Sequence, residues 1–206
     1  FGNHEFDWGQ DVLTERVEEA SYPYVSANIV VNDTDNCTTA GWTSPSFTQP
    51  YIIKTVGTAP NTVNVGIIGV TSTETPIITI AAATAGLCFK DPAASIIHYY
   101  DEVVAAGADV LVVLSHNGWT DGGYGYGFPV YGDQTLAQRL IDAGTPADLI
   151  LGGHSHDVLY SPVNANGALL VHPGAYARYA FRLDVDKPWT LGPVGIPDIY
   201  AETRMS

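Results

Sequence analysis

Polar and apolar positions follow two rhythms along the chain. Val12, Leu13, Val17 and Ala20 recur at helical spacing, with an acidic remainder on the other face, and predict a helix over 10–20. Tyr24–Val31 is a β-rich run that ends in a polar loop, and that loop together with Gly41–Pro50 forms a surface insertion. Tyr51–Val56 and Val63–Val70 predict two strands joined by a turn at 59–62. Asp91-Pro92 opens a helix that runs to about Ala106, because Asp caps and Pro suits the first helical position. Val110–Leu114 and Leu149–Leu151 are continuous apolar runs of the buried-strand type. Gln134–Ala143 predicts a helix with Leu136, Leu140 and Ile141 inward; Ala168–Val171 and Tyr179–Val185 predict the final strands. The stretch after Lys187 is rich in Pro and Gly and is expected to be a tail or linker. Alternating helices and strands of this kind specify an α/β fold with a mixed sheet.

Three polar clusters share one context. Val-Leu-Val-Val-Leu leads into Ser115-His116-Asn117-Gly118, Leu-Ile-Leu leads into Gly152-Gly153-His154-Ser155-His156, and Gly2-Asn3-His4 precedes the first helix. Sites in α/β proteins form at the carboxyl ends of strands, where loops converge. His154 and His156 alternate, so both rings can point into one cavity, and the glycines between strand and histidines permit close approach. Imidazole suits zinc, iron, nickel or manganese, and Asn3 offers a neutral amide oxygen. Asp7 stands three positions after His4, where it can hold that ring's tautomer. Each histidine also has a plain structural reading as a hydrogen-bonded residue at a strand end, and His98, inside a predicted helix beside two tyrosines, is expected to be structural. Glu5 fits a helix-starting acid, His172 reads first as a structural residue after a strand and only second as a supporting one, and the glycine- and aromatic-rich 118–132 segment fits a surface loop or a cleft wall.

Composition narrows the class. The chain has 206 residues, 46% hydrophobic and 15% charged, which suffices for one sizeable core. Its net charge of −14 disfavours nucleic-acid polymers and anionic lipid. An anionic phosphate ester would need local positive charge, for which bound metal is the obvious source. Asn32-Asp33-Thr34 and Asn36-Cys37-Thr38 are glycosylation sequons. With few lysines and two cysteines, they favour a secreted or cell-surface protein, glycosylated at Asn32 and Asn36, with a Cys37–Cys88 disulfide. No apolar run approaches the ~18–20 residues that span a bilayer.

In this order, Gly-Asn-His-Glu-Phe-Asp at 2–7, Ser-His-Asn-Gly at 115–118 and Gly-Gly-His-Ser-His at 152–156 resemble the 5′-nucleotidase branch of the calcineurin-like metallophosphoesterases. Ser26-Ala27-Asn28-Ile29, Val65–Thr71 and Pro173–Tyr179 support the likeness, which extends to about residue 186. The resemblance implies an α/β/β/α sandwich of two mixed sheets, lacking its first strand or strands here. Residues 1–186 would be the catalytic domain and 187–206 a tail toward a C-terminal domain. It implies two divalent ions, zinc, manganese or similar. Asn3, His116 and His154 would bind one ion and His156 the other. His4 would be the catalytic histidine, oriented by Asp7, and a metal-bridged hydroxide the nucleophile. Asn117 is a candidate substrate contact. The implied activity is release of phosphate from a small phosphate ester, with nucleotides foremost.

The family's two aspartate-bearing motifs, Asp-x-His and Gly-Asp, do not occur ahead of Gly2, and Phe1 stands where Met would open a full chain. Asp121 or Asp157 could substitute only by proximity in sequence. Two expectations remain: a piece of a longer secreted enzyme, or a short binding protein that has kept the scaffold, with at most one weak metal site.

Overall fold

The structure is a computed structural model that describes residues 1–34, 36–122, 130–165, 167–185 and 199–204. Its helices are α1 (Gly9–Glu19), α2 (Thr75–Ile78), α3 (Pro92–Ala105) and α4 (Asp133–Asp142). Its strands are β1 (Ile29–Val31), β2 (Tyr51–Thr58), β3 (Asn61–Thr71), β4 (Leu87–Phe89), β5 (Val110–His116), β6 (Leu149–Gly152), β7 (Val163–Ala165), β8 (Ala168–Val171), β9 (Ala180–Val185) and β10 (Ile199–Arg204). Six strands form one mixed sheet in the order β2-β3-β5-β6-β8-β7. Its centre, β3-β5-β6-β8, is parallel, and the hairpin partners β2 and β7 run antiparallel at the edges. β1–β4 and β9–β10 are two-stranded antiparallel ribbons.

Period-two alternation explains how the sheet is covered. Ile68, Val70, Leu111, Val113, Ile150 and Leu170 point to one face, where Ile96, Tyr99 and Val103 of α3 and Leu136 and Leu140 of α4 pack on them. Val110, Val112, Leu149 and Val171 form a second cluster with Ile67, Leu151 and Phe181. A one-residue slip would exchange these sets, so the register is firmly specified. One carboxylate both caps α3 and ties it to α4. Asp91 accepts a hydrogen bond from the Ala94 amide as the α3 cap, and the same carboxylate meets the Arg139 guanidinium at 2.7 and 2.9 Å.

Several expectations change at the level of single residues. In α1, Leu13 and Val17 pack inward while Val12 is exposed, because one turn of a short helix offers the core a narrow stripe. Ile141 is 38% exposed; Leu136, Ala137 and Leu140 already fill the α4 contact. Of Tyr24–Val31 only the last three residues form a strand, and Val25 makes an isolated bridge to Gln49. β4 and β7, three residues each, were too short to show a period. Within the stretch expected to be a tail, Ile199–Arg204 pairs with β9. The aromatic segment 123–129 lies outside the described residues. Cys37 and Cys88 form a disulfide that fastens the 32–43 loop to β4. Among the described residues no helix is long and apolar enough to cross a membrane.

Candidate active site

The parallel strands deliver three of the relevant loops to one edge: β3 ends at Thr71, β5 at His116, β6 at Gly152. The opening segment joins them by packing. Phe6 is fully buried with Leu13, Ile29 and Phe47, the Phe1 ring lies against Phe6, Tyr24 and Phe47, and Thr71 Oγ1 donates to the Phe1 carbonyl at 3.0 Å. Gly2 then passes flat over the His116 ring, where a Cβ would come within 2.7 Å of it. Glu5 holds this turn by accepting from the Gly2 amide at 2.6 Å, a local bond in a 3-10 turn (His4–Phe6) rather than a helix-dipole contact.

Asn3, His116 and His154 come together. Asn3 is 6% exposed, and its Oδ1 lies 3.0 Å from His116 Nε2. The His116 and His154 rings are 4.9 Å apart. His154 Nε2 lies 2.7 Å from Glu74 Oε1, and Glu74 is buried. A carboxylate there fixes the Nε2–H tautomer and puts the lone pair on Nδ1. His154 and His156 both have positive φ, 80° and 61°, so the loop folds back on itself at these two residues. His156 is exposed, its ring 5.1 Å from Tyr176. His4 is exposed and pairs with Asp7 at 2.8 Å. Burial, and then the charge of neighbouring His154, with further contributions including His4 and His156, push His116 down to about 3. A ring held neutral in this way keeps its lone pair available through the physiological range.

Donor chemistry tests the fit of a metal. Two donors about 2.1 Å from one cation and about 90° apart stand about 3 Å from each other, as His116 Nε2 and Asn3 Oδ1 do. His154, with its ring 4.9 Å from that of His116, would be the third member of a neutral N/O set. The described residues contain no cluster of three or more His, Cys, Asp or Glu able to hold a metal. Asp121 and Asp157 do not fill the gap. Asp121 accepts from the Gly132 amide and from Thr135 Oγ1 at the start of α4, and Asp157 accepts from Ser155 Oγ. Asn117 is 3% exposed, and neither its Oδ1 nor its Nδ2 has a hydrogen-bond partner among the described residues. His98 stacks on Trp42 at 4.1 Å on α3, as a structural residue does.

Sequence reasoning missed Glu74 and Asp133. Glu74, in Thr73-Glu74-Thr75-Pro76, follows the Val65–Thr71 strand, and its position at a strand end was the available signal. Asp133 falls between the 118–132 segment and the helix predicted from Gln134, with no sign in the sequence that it is buried.

No family model matches the chain. It is 28% identical over 191 residues to the 5′-nucleotidase of Diplobatis ommata, covering 92% of this chain and 28% of that protein. It is 31% identical over 161 residues to the Bos taurus 5′-nucleotidase, covering 78% of this chain and 24% of the relative. The solved 5′-nucleotidase precursor of Thermus thermophilus superposes with a TM-score of 0.73 at 27% identity, over 99% of this chain and 38% of that one. This chain is related to the N-terminal metallophosphoesterase domain of 5′-nucleotidases. The 5′-nucleotidase relatives are phosphoric ester hydrolases, and this chain spans about a quarter to two-fifths of their length. The α/β class with a mixed sheet agrees with that kinship.

Proposed function

We propose that this chain is the metallophosphoesterase portion of a secreted or cell-surface phosphoester hydrolase that releases phosphate from nucleotides. The observation that carries the reading is the convergence of Asn3, His116 and His154, from three separate segments, on a spacing suited to one divalent cation. His156 is the candidate ligand for a second, with zinc or manganese suiting both. Bound cations supply the positive charge that neutralises phosphoryl oxygens, on a protein whose net charge is otherwise −14.

The chain's own residues divide the remaining work. His116, neutral through burial, offers a lone pair, and Glu74 sets the His154 tautomer. His4 stands exposed beside the site with Nδ1 on Asp7, which leaves Nε2 to face substrate and give a proton to the leaving oxygen. Asn117, with both amide atoms unpartnered among the described residues, is the candidate contact for a substrate oxygen. Asn36 is exposed and Asn32 half-buried; both carry sequons and are candidate glycosylation sites.

The test is release of inorganic phosphate from adenosine monophosphate and from a generic phosphomonoester, with excess Mn²⁺ or Zn²⁺. Expected is metal-dependent release that His116→Ala abolishes. Metal uptake without any release favours a binding protein, and neither uptake nor release overturns the reading.

A further inference from the structure

Beneath the histidine loops lies a closed polar cluster that takes no part in the proposed chemistry. Asp133, the first residue of α4, is fully buried. Its Oδ1 accepts from Ser115 Oγ at 2.5 Å, and its Oδ2 lies 2.8 Å from Nε2 of His172, itself 1% exposed. Its backbone N–H donates to the Gly118 carbonyl at 2.8 Å. Ser115 Oγ also accepts from the Asn117 amide at 3.3 Å. Asp133 therefore grips the Ser115-His116-Asn117-Gly118 turn at both ends, once by side chain and once by backbone. Gly152 closes the cluster from the other side, because a Cβ there would collide with His172 Nε2 and Asp133 Oδ2. Gly152 begins the loop that carries His154.

The cluster is not a nucleophile. In a serine–histidine–aspartate relay the imidazole stands between hydroxyl and carboxylate. Here the carboxylate is central, both neighbours face it, and all three are shut from solvent. A buried carboxylate is costly unless its lone pairs are met by donors, and once met it becomes a rigid anchor.

We propose that Asp133 is a positioning residue that fixes the loop of His116 against the loop of His154, with Ser115 and His172 as its two clamps. The proposal rests on the reading of Asn3, His116 and His154 as ligands of one cation. Asp133 touches neither ligand ring. It sets where their backbones start, and so the separation of the two rings.

The experiment uses the full chain with Asp133→Asn, Ser115→Ala, His172→Leu and His172→Gln. Two readouts are taken: the imidazole ¹⁵N–¹H signals of the metal-free protein, and Zn²⁺ affinity by titration. Asp133→Asn and His172→Leu are expected to split or broaden the His116 and His154 ring signals, leave that of His98 on α3 sharp, and weaken Zn²⁺ binding roughly 10–100-fold. His172→Gln keeps an N–H donor and is expected to restore single ring signals. If Asp133→Asn does not fold, Ser115→Ala, which cuts one clamp only, carries the same expectation. Sharp, unmoved His116 and His154 signals in a folded variant overturn the proposal, and so does equal broadening of His98, which marks general loosening. If the wild-type chain takes up no Zn²⁺, the ligand reading fails, while the ring signals still decide whether Asp133 positions the two loops.

Discussion

Glu74 Oε1 lies 2.7 Å from His154 Nε2, although the two stand 80 positions apart in the chain, and both side chains are almost closed from solvent. A carboxylate behind a ligand histidine raises its basicity and holds one ring orientation. Glu74→Gln keeps the shape and removes the charge, and is expected to weaken Zn²⁺ binding about 10–100-fold with little change in secondary structure. Competitive metal titration checks this; unchanged affinity would remove Glu74 from the site.

His4 stands apart from that pair. It and Asp7 are well exposed, so His4→Ala is expected to change stability by less than about 0.5 kcal/mol. As a proton donor its loss should lower kcat about 10²–10⁴-fold with metal content unchanged. Metal analysis alongside turnover separates the outcomes: a variant stripped of metal would make His4 a ligand.

Asp91 both caps α3 and pairs with Arg139 across the α3–α4 contact. Arg139→Ala should cost about 1 kcal/mol, since the pair is a third exposed. Asp91→Ala loses the cap as well and should cost about 2 kcal/mol. Urea denaturation of both variants and of their combination checks the order; the double variant should cost less than the sum of the two single changes, because each removes the same ion pair.

Burial raises Asp148 from 3.8 to about 6, although the Leu111 amide donates to it. Between these values the unfolded chain ionises this group while the folded chain holds the proton. Stability from Asp148 therefore falls as pH rises from about 4 to 6 and stays low above. Asp148→Asn keeps the acceptor for Leu111 and removes the ionisation. Its unfolding free energy should match wild type near pH 4 and exceed it at pH 8 by on the order of 2 kcal/mol, read from denaturation at each pH. A constant difference across pH would contradict the assignment.

The Cys37–Cys88 bridge spans 51 positions. Closing a loop of that length in the unfolded chain contributes about 4 kcal/mol on the chain-entropy estimate. Cys37→Ser with Cys88→Ser should lower stability by up to about that amount, and the intact protein should show a mass two hydrogens below its reduced form. Equal denaturation midpoints with and without reductant would show that the bridge contributes nothing.

Much of this was legible in the chain because it is local. Asp91-Pro92 announces α3, and the apolar runs before His116 and His154 announce buried strands whose ends meet. Helical stretches between such runs leave room for the crossovers that parallel neighbours require. What was not legible depends on distance. Glu74 shows in the chain only its place after a strand, and nothing near Asp133 marks it; their histidine partners lie 80 and 39 positions away. Ile141 and Val12 fit the helical period and still face solvent, because the period gives a stripe and only packing gives its width.

The parallel centre of the sheet also sets an order of events in time. Asn3 meets His116 across 113 positions, and β3, β5, β6 and β8 each wait for a crossover before they can pair. Contacts of such separation come late, after their loop-closure entropy has been met. On that ground α3 and the β2–β3 hairpin, whose contacts are local, are expected to order before the histidine loops meet. With Asn3, His116 and His154 as the proposed ligands, metal uptake is therefore expected to clock the completion of folding rather than its onset.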